Sequence, residues 1–316
     1  DIRAVGATSV ITPGVLIHHE AGGGIAYDWF TYVPHSVDPA EVSAIWMTGL
    51  HGNLITDDYE AIVAESEQQA TWRRALAEEH GYVMVVPVIP RPATDHVYAV
   101  AFDWKVFLDT TDPLCQRPDL EVNAMLDRFV ADLQAASYAI DDQILIDGYS
   151  AGAMFAQRYA LLHPERVRAL AAGQCGGAMT LPEDTYTDTT TTEMDWPVEV
   201  GDFESLVGEP FDRETYRQVS QFIYIGDEDT TNSTLWGTGE LWRTQAQIDF
   251  LNATFGYTDP VRLEGQASYM ADLGYDVTFR LYPGVSHQFT NQMIEDTFVF
   301  FRAAMVTNPV YLPLVC

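Results

Sequence analysis

Residues 144–154 read ILIDGYSAGAM: a short apolar run passes into Gly148-Tyr149-Ser150-Ala151-Gly152, and a helix-forming stretch follows at once. A chain that turns sharply from a strand into a helix needs small residues beside the corner, where a side chain would meet backbone. A plain turn would leave the serine incidental. A nucleophile would need this spacing, because G-x-S-x-G lifts the hydroxyl clear of the backbone. It also aims the amides of the following helix at developing negative charge. The buried strand before the match and the helix after it favour the nucleophile.

Outward from this corner the chain alternates strands and helices. Upstream, GVLIHHEAGGGIAYDWFTYVP reads as two strands joined by a glycine-rich turn, and SAIWMTGLHGN as an apolar strand ending in a tight loop. The segment from Tyr59 to His80 has helical spacing and stops at Gly81. YVMVVPVIP is a further strand, and DLEVNAMLDRFVADLQAA a helix with Asp119 as its expected N-cap. Downstream come a helix over 151–163, ending before Pro164, and the strands VRALAAGQCGG, QFIYIGDED and DVTFRLYPGVSH. FTNQMIEDTFVFFRAAM supplies a closing helix. Strands without period-2 alternation, interleaved with helices, predict an α/β fold with a mostly parallel sheet covered on both faces. Two stretches break the rhythm, 178–218 with its threonine-rich YTDTTTTEMDWPVEV and 230–262 with NSTLWGTGELWRTQAQIDF. Both are expected as insertions at the C-terminal edge of the sheet within a single domain over 1–316, at lid or substrate-site positions.

A serine hydroxyl needs a base, and the base needs an orienting acid. With the nucleophile at a strand-to-helix corner, the acid and then the histidine follow it in the chain. Only His163 and His287 lie downstream of Ser150. His163 ends the helix after the serine and is read as a C-terminal capping residue, whereas His287 follows a late strand, in a loop that can swing over the sheet. The acid should come from the end of FIYIGDEDTTN, where Asp229 is chosen with Asp227 as rival; the residues alone separate them poorly. Two backbone amides should form an oxyanion hole. Ala151 supplies one by its place after the nucleophile, and the second is assigned to Asn53 in the GLHGN loop, with His51 a structural hydrogen-bonding residue.

LHGN, GYSAGAMFAQRYALLHPERVRALAAG, FIYIGDEDTTN and GYDVTFRLYPGVSHQF together resemble the α/β-hydrolase superfamily. The resemblance is to its polyhydroxybutyrate depolymerase-like and feruloyl-esterase-like serine hydrolases, over residues 40–176 and 220–305. It implies a carboxylic-ester hydrolase working through an acyl-enzyme, with no metal or organic cofactor. The family's HG motif falls on His51-Gly52 and supports the oxyanion assignment; its G-x-x-D motif falls on Gly226 and Asp229, which favours Asp229. Ala153 departs from the pattern, standing where members often have glycine. The two irregular stretches match nothing in the family, so substrate choice does not transfer.

The whole-chain totals narrow the partners. Sixteen basic residues, of which only Lys105 is a lysine, stand against 46 acids, for a formal charge of −30. Such a surface repels nucleic acid and anionic lipid and favours an ester substrate that is neutral or positive where it is contacted. It also suits high salt, where repulsion is screened, although a GC-rich genome equally favours arginine. No apolar run reaches the roughly eighteen residues that span a bilayer. A start at Asp1 without methionine fits an exported chain whose leader has been removed, and fits a trimmed chain equally. Cys115, Cys175 and Cys316 allow one disulfide at most, with Cys175 expected as a buried small hydrophobe. His18-His19-Glu20 is read as hairpin surface without metal spacing, and AGGGI at 21–25 lacks a dinucleotide fingerprint. Trp104, Trp196, Trp236 and Trp242 are read as core or lid packing before substrate platforms. The competing functions are a peptidase or amidase on the same machinery and a non-catalytic binding protein of the same fold. The latter would be expected to lack one of the three catalytic positions, all of which are filled here.

Overall fold

Alternate residues along the central strands point into two separate apolar cores. In β4 (Ser43–Met47), Ile45 and Met47 face one core while Ala44 and Trp46 face the other. In β7 (Val167–Gly173), Leu170 and Ala172 divide from Ala169 and Ala171 in the same way. A sheet apolar on both sides must be covered on both sides. The structure, a computed structural model, describes residues 2–4, 11–50, 54–93, 102, 105–108, 116–187, 191–230 and 243–307.

Among the described residues nine strands form one sheet, in the order β1-β2-β3-β5-β4-β6-β7-β10-β11. Besides β4 and β7 these are β1 (Ile2–Ala4), β2 (Leu16–His19), β3 (Trp29–Tyr32), β5 (Val83–Pro87), β6 (Ile140–Tyr149), β10 (Ser220–Gly226) and β11 (Val277–Tyr282). β3 pairs antiparallel with both β2 and β5, and every other pairing is parallel. The expected opening hairpin is β2–β3, and β1 adds an edge strand beside it that no pattern in the sequence announced.

One face is covered by α1 (Tyr59–His80) and α9 (Asn291–Thr307), through Ile62, Ala70, Ala77, Met293, Phe298 and Phe301. The other is covered by α3 (Pro118–Ala135), α4 (Ala151–Leu162), α7 (Gln245–Phe255) and α8 (Asp259–Asp272). α2 (Lys105–Leu108) is a single turn. α1 has the bounds its spacing predicts: the Asp58 carboxylate accepts from the Ala61 N–H at 3.3 Å, and Gly81, at φ 71°, ends the helix.

The start of α3 corrects an expectation. Pro118 takes the first helical position, where its missing N–H costs nothing, so the cap falls back to Arg117 in the left-handed region. Asp119 therefore lies inside the first turn instead of capping it, and its buried carboxylate accepts from Arg117 at 2.7 Å and meets His163 Nε2 at 2.8 Å. His163 does occupy the cap position of α4, but its imidazole turns to α3 through Asp119 and Asn123.

Residues 178–218 hold the small hairpin β8–β9 (Thr185–Thr187 and Thr191–Glu193), α5 (Phe203–Val207) and α6 (Arg213–Tyr216). In the 230–262 stretch, the Thr244–Gln247 capping box opens α7, and the first turn of α8 lies within it. α8 then runs on to Asp272 and packs against β10 and β11, serving as a layer helix of the sheet. Among the described residues no helix is long and apolar enough to cross a membrane.

Candidate active site

β6 delivers Ser150 and α4 carries the chain away from it. Ser150 has φ 57° and ψ −122°, a conformation that L residues avoid and that needs surrounding structure to hold it. Its N–H donates to Gly173 O at 2.8 Å, and its carbonyl accepts from Ala153 and Met154 as the helix begins. A Cβ on Gly148 would sit 2.1 Å from the Gly152 carbonyl oxygen, so the first glycine of the motif is required by backbone meeting backbone. Ala151 is the first residue of the helix, where an N–H has no intrahelical partner and remains available to an anion.

Two loops bring the acid and the histidine together. The loop after β10 is stapled to the loop after β11: Asp227 N–H donates to Tyr282 O at 3.1 Å and Glu228 N–H to Val285 O at 3.0 Å. The approach is so close that a Cβ on Gly226 would lie 2.0 Å from Val285 O. Asp227 is exposed and accepts from the Gly284 N–H at 2.7 Å, which fixes the turn. Asp229, 2% exposed, points inward, and its Oδ2 lies 2.9 Å from His287 Nδ1. An Nδ1–H donated to that carboxylate leaves Nε2 as the imidazole's free acceptor. The His287 ring centroid is 5.3 Å from that of Tyr149, which in turn stacks on Phe289 at 5.2 Å.

Ser150 and His287 share a cavity of about 400 Å³, also lined by Gly49, Leu50, Gly148, Tyr149 and Phe289. Gln69, Arg73 and Asp147 also line it and were not singled out by sequence. Asp147 gave the one available signal, an acid within the apolar run ILID. Its buried carboxylate accepts the Trp46 indole N–H at 2.6 Å, and burial pushes it up from the usual carboxylate range against the opposing pull of Arg73, Thr48 and Trp46.

Asn53, assigned the second oxyanion amide, lies outside the described residues together with His51 and Gly52, as do Cys115, Cys316, Trp104, Trp236 and Trp242. Trp196 is a core residue whose indole donates to Phe102 O. Cys175 is a free, buried thiol, pushed up to about 12 by burial. The pair His18-His19 is not the exposed surface expected of it. His18 is hydrogen-bonded to Asp28 at 2.6 Å, and His19 stacks on Trp29 and meets Thr31 Oγ1 at 2.8 Å. Strand alternation sends the two rings to opposite faces, and burial lowers His19 to about 4.

Comparison with solved structures rests on this architecture. Poly(aspartic acid) hydrolase-1 from Sphingomonas sp. KT-1 superposes with a TM-score of 0.59 at 17% identity, covering 94% of this chain and 99% of that one. The fold is the α/β-hydrolase fold. A poly(3-hydroxybutyrate) depolymerase from Bordetella parapertussis shares this α/β-hydrolase architecture at a TM-score of 0.51 and 18% identity, covering 95% of this chain and 91% of that one. Thermogutta terrifontis esterase 2, in a form phosphoramylated by tabun, does so at 0.50 and 12% identity, with 93% and 94% coverage. No protein-family model and no curated protein matches the chain. The mostly parallel sheet and its helical layers are those the sequence predicts, and Ser150 stands at a strand-to-helix corner of this fold.

Proposed function

We propose that the chain is a serine carboxylic-ester hydrolase acting through an acyl-enzyme, with Ser150, His287 and Asp229 as its triad. One observation carries the reading: a serine in a strained elbow and a histidine hydrogen-bonded to a buried aspartate open onto one cavity. In the reaction His287 Nε2 takes the Ser150 proton as Oγ attacks the ester carbonyl. Asp229 holds the imidazole by Nδ1 and stabilises the imidazolium. The N–H groups of Ala151 and Asn53 receive the oxyanion, each such donor being worth roughly 10²–10³ in rate. Collapse expels the alcohol, which takes the proton from His287. Water, deprotonated by the same imidazole, then attacks the acyl-enzyme and releases the acid and free Ser150. The depolymerase and the esterase among the structural neighbours are named for the same class of chemistry.

The test is hydrolysis of nitrophenyl esters from acetate to long chains, with Ser150→Ala alongside. The reading expects turnover that the substitution lowers by at least about 10⁴-fold. A wild type inactive on every chain length, or a Ser150→Ala protein with full activity, overturns it.

A further inference from the structure

A charged group with donor capacity to spare faces the same cavity as the candidate nucleophile. Gln69 and Arg73, one turn apart on α1, both line the cavity that holds Ser150 and His287. Arg73 Nε donates to Thr48 Oγ1 at 2.9 Å, and Nη1 donates to the Gln69 side-chain oxygen and, at 3.5 Å, to its carbonyl. Among the described residues Nη2 has no hydrogen-bond partner, and no carboxylate forms an ion pair with the guanidinium. Three other arginines enclosed by the fold do have a carboxylate. Arg168 is paired with Asp141 at 2.6 Å, Arg262 with Asp259 at 2.7 Å and Arg117 with Asp119 at 2.7 Å.

In a chain with 46 acids and 16 basic residues, a carboxylate partner for one more arginine is the easiest thing to supply. Asp147 does act electrostatically on Arg73, but its carboxylate is taken by the Trp46 indole and the Thr48 hydroxyl. Thr48 and Gln69 hold the guanidinium through Nε and Nη1, the Trp72 ring centroid lies 4.9 Å from its Cζ, and Arg73 lines the cavity. Phe289 supplies an apolar wall in the same space.

We propose that Arg73, steadied by Thr48 and Gln69, binds a carboxylate carried by the substrate, so that the favoured ester ends in an acid separated from the scissile bond by a short apolar spacer. For turnover this rests on the ester-hydrolase reading above; for binding it does not. The acidic exterior argues for a neutral substrate, but that is a long-range effect that salt screens. The cavity acts at contact distance, where an Arg–carboxylate pair is bidentate and charge-assisted.

Two measurements test it. The first compares kcat/KM for the mono-nitrophenyl ester of glutaric acid and for the neutral nitrophenyl pentanoate. The ratio should favour the acid in wild type by about ten- to a hundredfold, the range of a charge-assisted hydrogen-bonded contact. Arg73→Gln should collapse that ratio, Arg73→Lys should restore part of it, and Asp147→Asn should raise it by removing a neighbouring negative charge. Since Arg73→Gln leaves Asp147 without a compensating charge, Arg73→Met combined with Asp147→Asn gives a second, charge-balanced removal. The second measurement is calorimetric binding of monomethyl glutarate and of methyl pentanoate to Ser150→Ala protein. Binding of the acid alone, lost with Arg73→Gln, upholds the inference even if no ester is turned over. Ester turnover without any preference for the acid, or a preference that survives both removals of Arg73, overturns the inference and leaves the hydrolase reading in place. Loss of both rates in equal proportion assigns Arg73 a purely structural role and likewise overturns it.

Discussion

At the scale of single residues, Asp227 and Asp229 illustrate what a sequence holds and what it withholds. Both follow β10, both are carboxylates, and neither position has a periodicity to betray its direction. The difference arises from contacts 55 or more residues away in the chain. Gly284 takes Asp227 into a turn, and Val285 and His287 bring the second loop across so that Asp229 is buried against the imidazole. The glycine that makes this crossing possible, Gly226, is legible as a motif but not as a reason. The two acids should therefore separate sharply on substitution. Asp229→Asn should lower kcat by about 10³–10⁴-fold, since it leaves the geometry but spoils the tautomer and the imidazolium. Asp227→Asn keeps an acceptor for Gly284 and should stay within about tenfold of wild type, since it removes no group that faces the reacting atoms. Steady-state rates on one nitrophenyl ester decide it, and equal losses would reassign the acid. Arg73 was illegible for a related reason: on the helix pattern it is one polar position among many, and only the packing of α1 on β3 and β5 brings it to the cavity that holds Ser150.

At the scale of elements, the strongly patterned pieces were legible and the joints between them were not. α1 matches its spacing and its stop at Gly81, because those signals lie within or next to the segment itself. The entry to α3 does not, because Asp119 is recruited by His163 from 44 residues further on. That contact pins α4 to α3, and its pH dependence can be read. Burial alone would lower His163, but the hydrogen bond to Asp119 and the nearby charge of Glu165 outweigh it and leave it raised above its usual 6.5. A histidine whose folded value is raised contributes stability that is complete below about pH 6.5. That contribution is lost as pH rises through the folded value. His163→Gln should thus cost about 1–3 kcal/mol near pH 6, the range for a hydrogen bond to a charged group, and clearly less at pH 9. Urea unfolding at the two pH values measures this, and a pH-independent difference would remove the charge from the explanation.

Glu199, fully buried in the 178–218 stretch, has the same sign for a different reason: burial favours its neutral form, where partners favour the charged form of His163. Burial, with Glu183 and Asp184 adding, raises its carboxyl from 4.5 to about 8. The folded state then holds a proton that the unfolded chain gives up, so stability falls as pH climbs from about 4.5 to about 8. Glu199→Gln should flatten that fall and raise the thermal midpoint at pH 8 while changing little at pH 4.5. A midpoint at pH 8 that does not rise would show the carboxylate to be accommodated ionised.

At the scale of the molecule, the alternation of strands and helices and the two-sided apolarity of the strands were enough to predict a covered, mostly parallel sheet. The β2–β3 hairpin was legible from its glycine-rich turn, but the antiparallel pairing of β3 with β5 was not, since pairing across the sheet leaves no local mark. Charge is the property that belongs to no element. A net charge of −30 means that each surface carboxylate sits in a field of others, while several of the described arginines are engaged in pairs such as Arg213–Glu183 and Arg280–Asp296. Self-repulsion at this level destabilises the compact state, and added salt relieves it by shortening the screening length from about 10 Å at 0.1 M to about 3 Å at 1 M. Exposed ion pairs are weakened by the same salt, but each is worth only about 0–1 kcal/mol. The thermal midpoint should consequently rise between about 0.1 and 1 M sodium chloride, most steeply at the low end where the screening length changes fastest. Choline chloride should act alike if screening is the cause, whereas a sulfate salt would add stabilisation by exclusion from the surface. A midpoint that falls with chloride would mean that the ion pairs outweigh the repulsion, and the acidic surface would then owe nothing to salt adaptation.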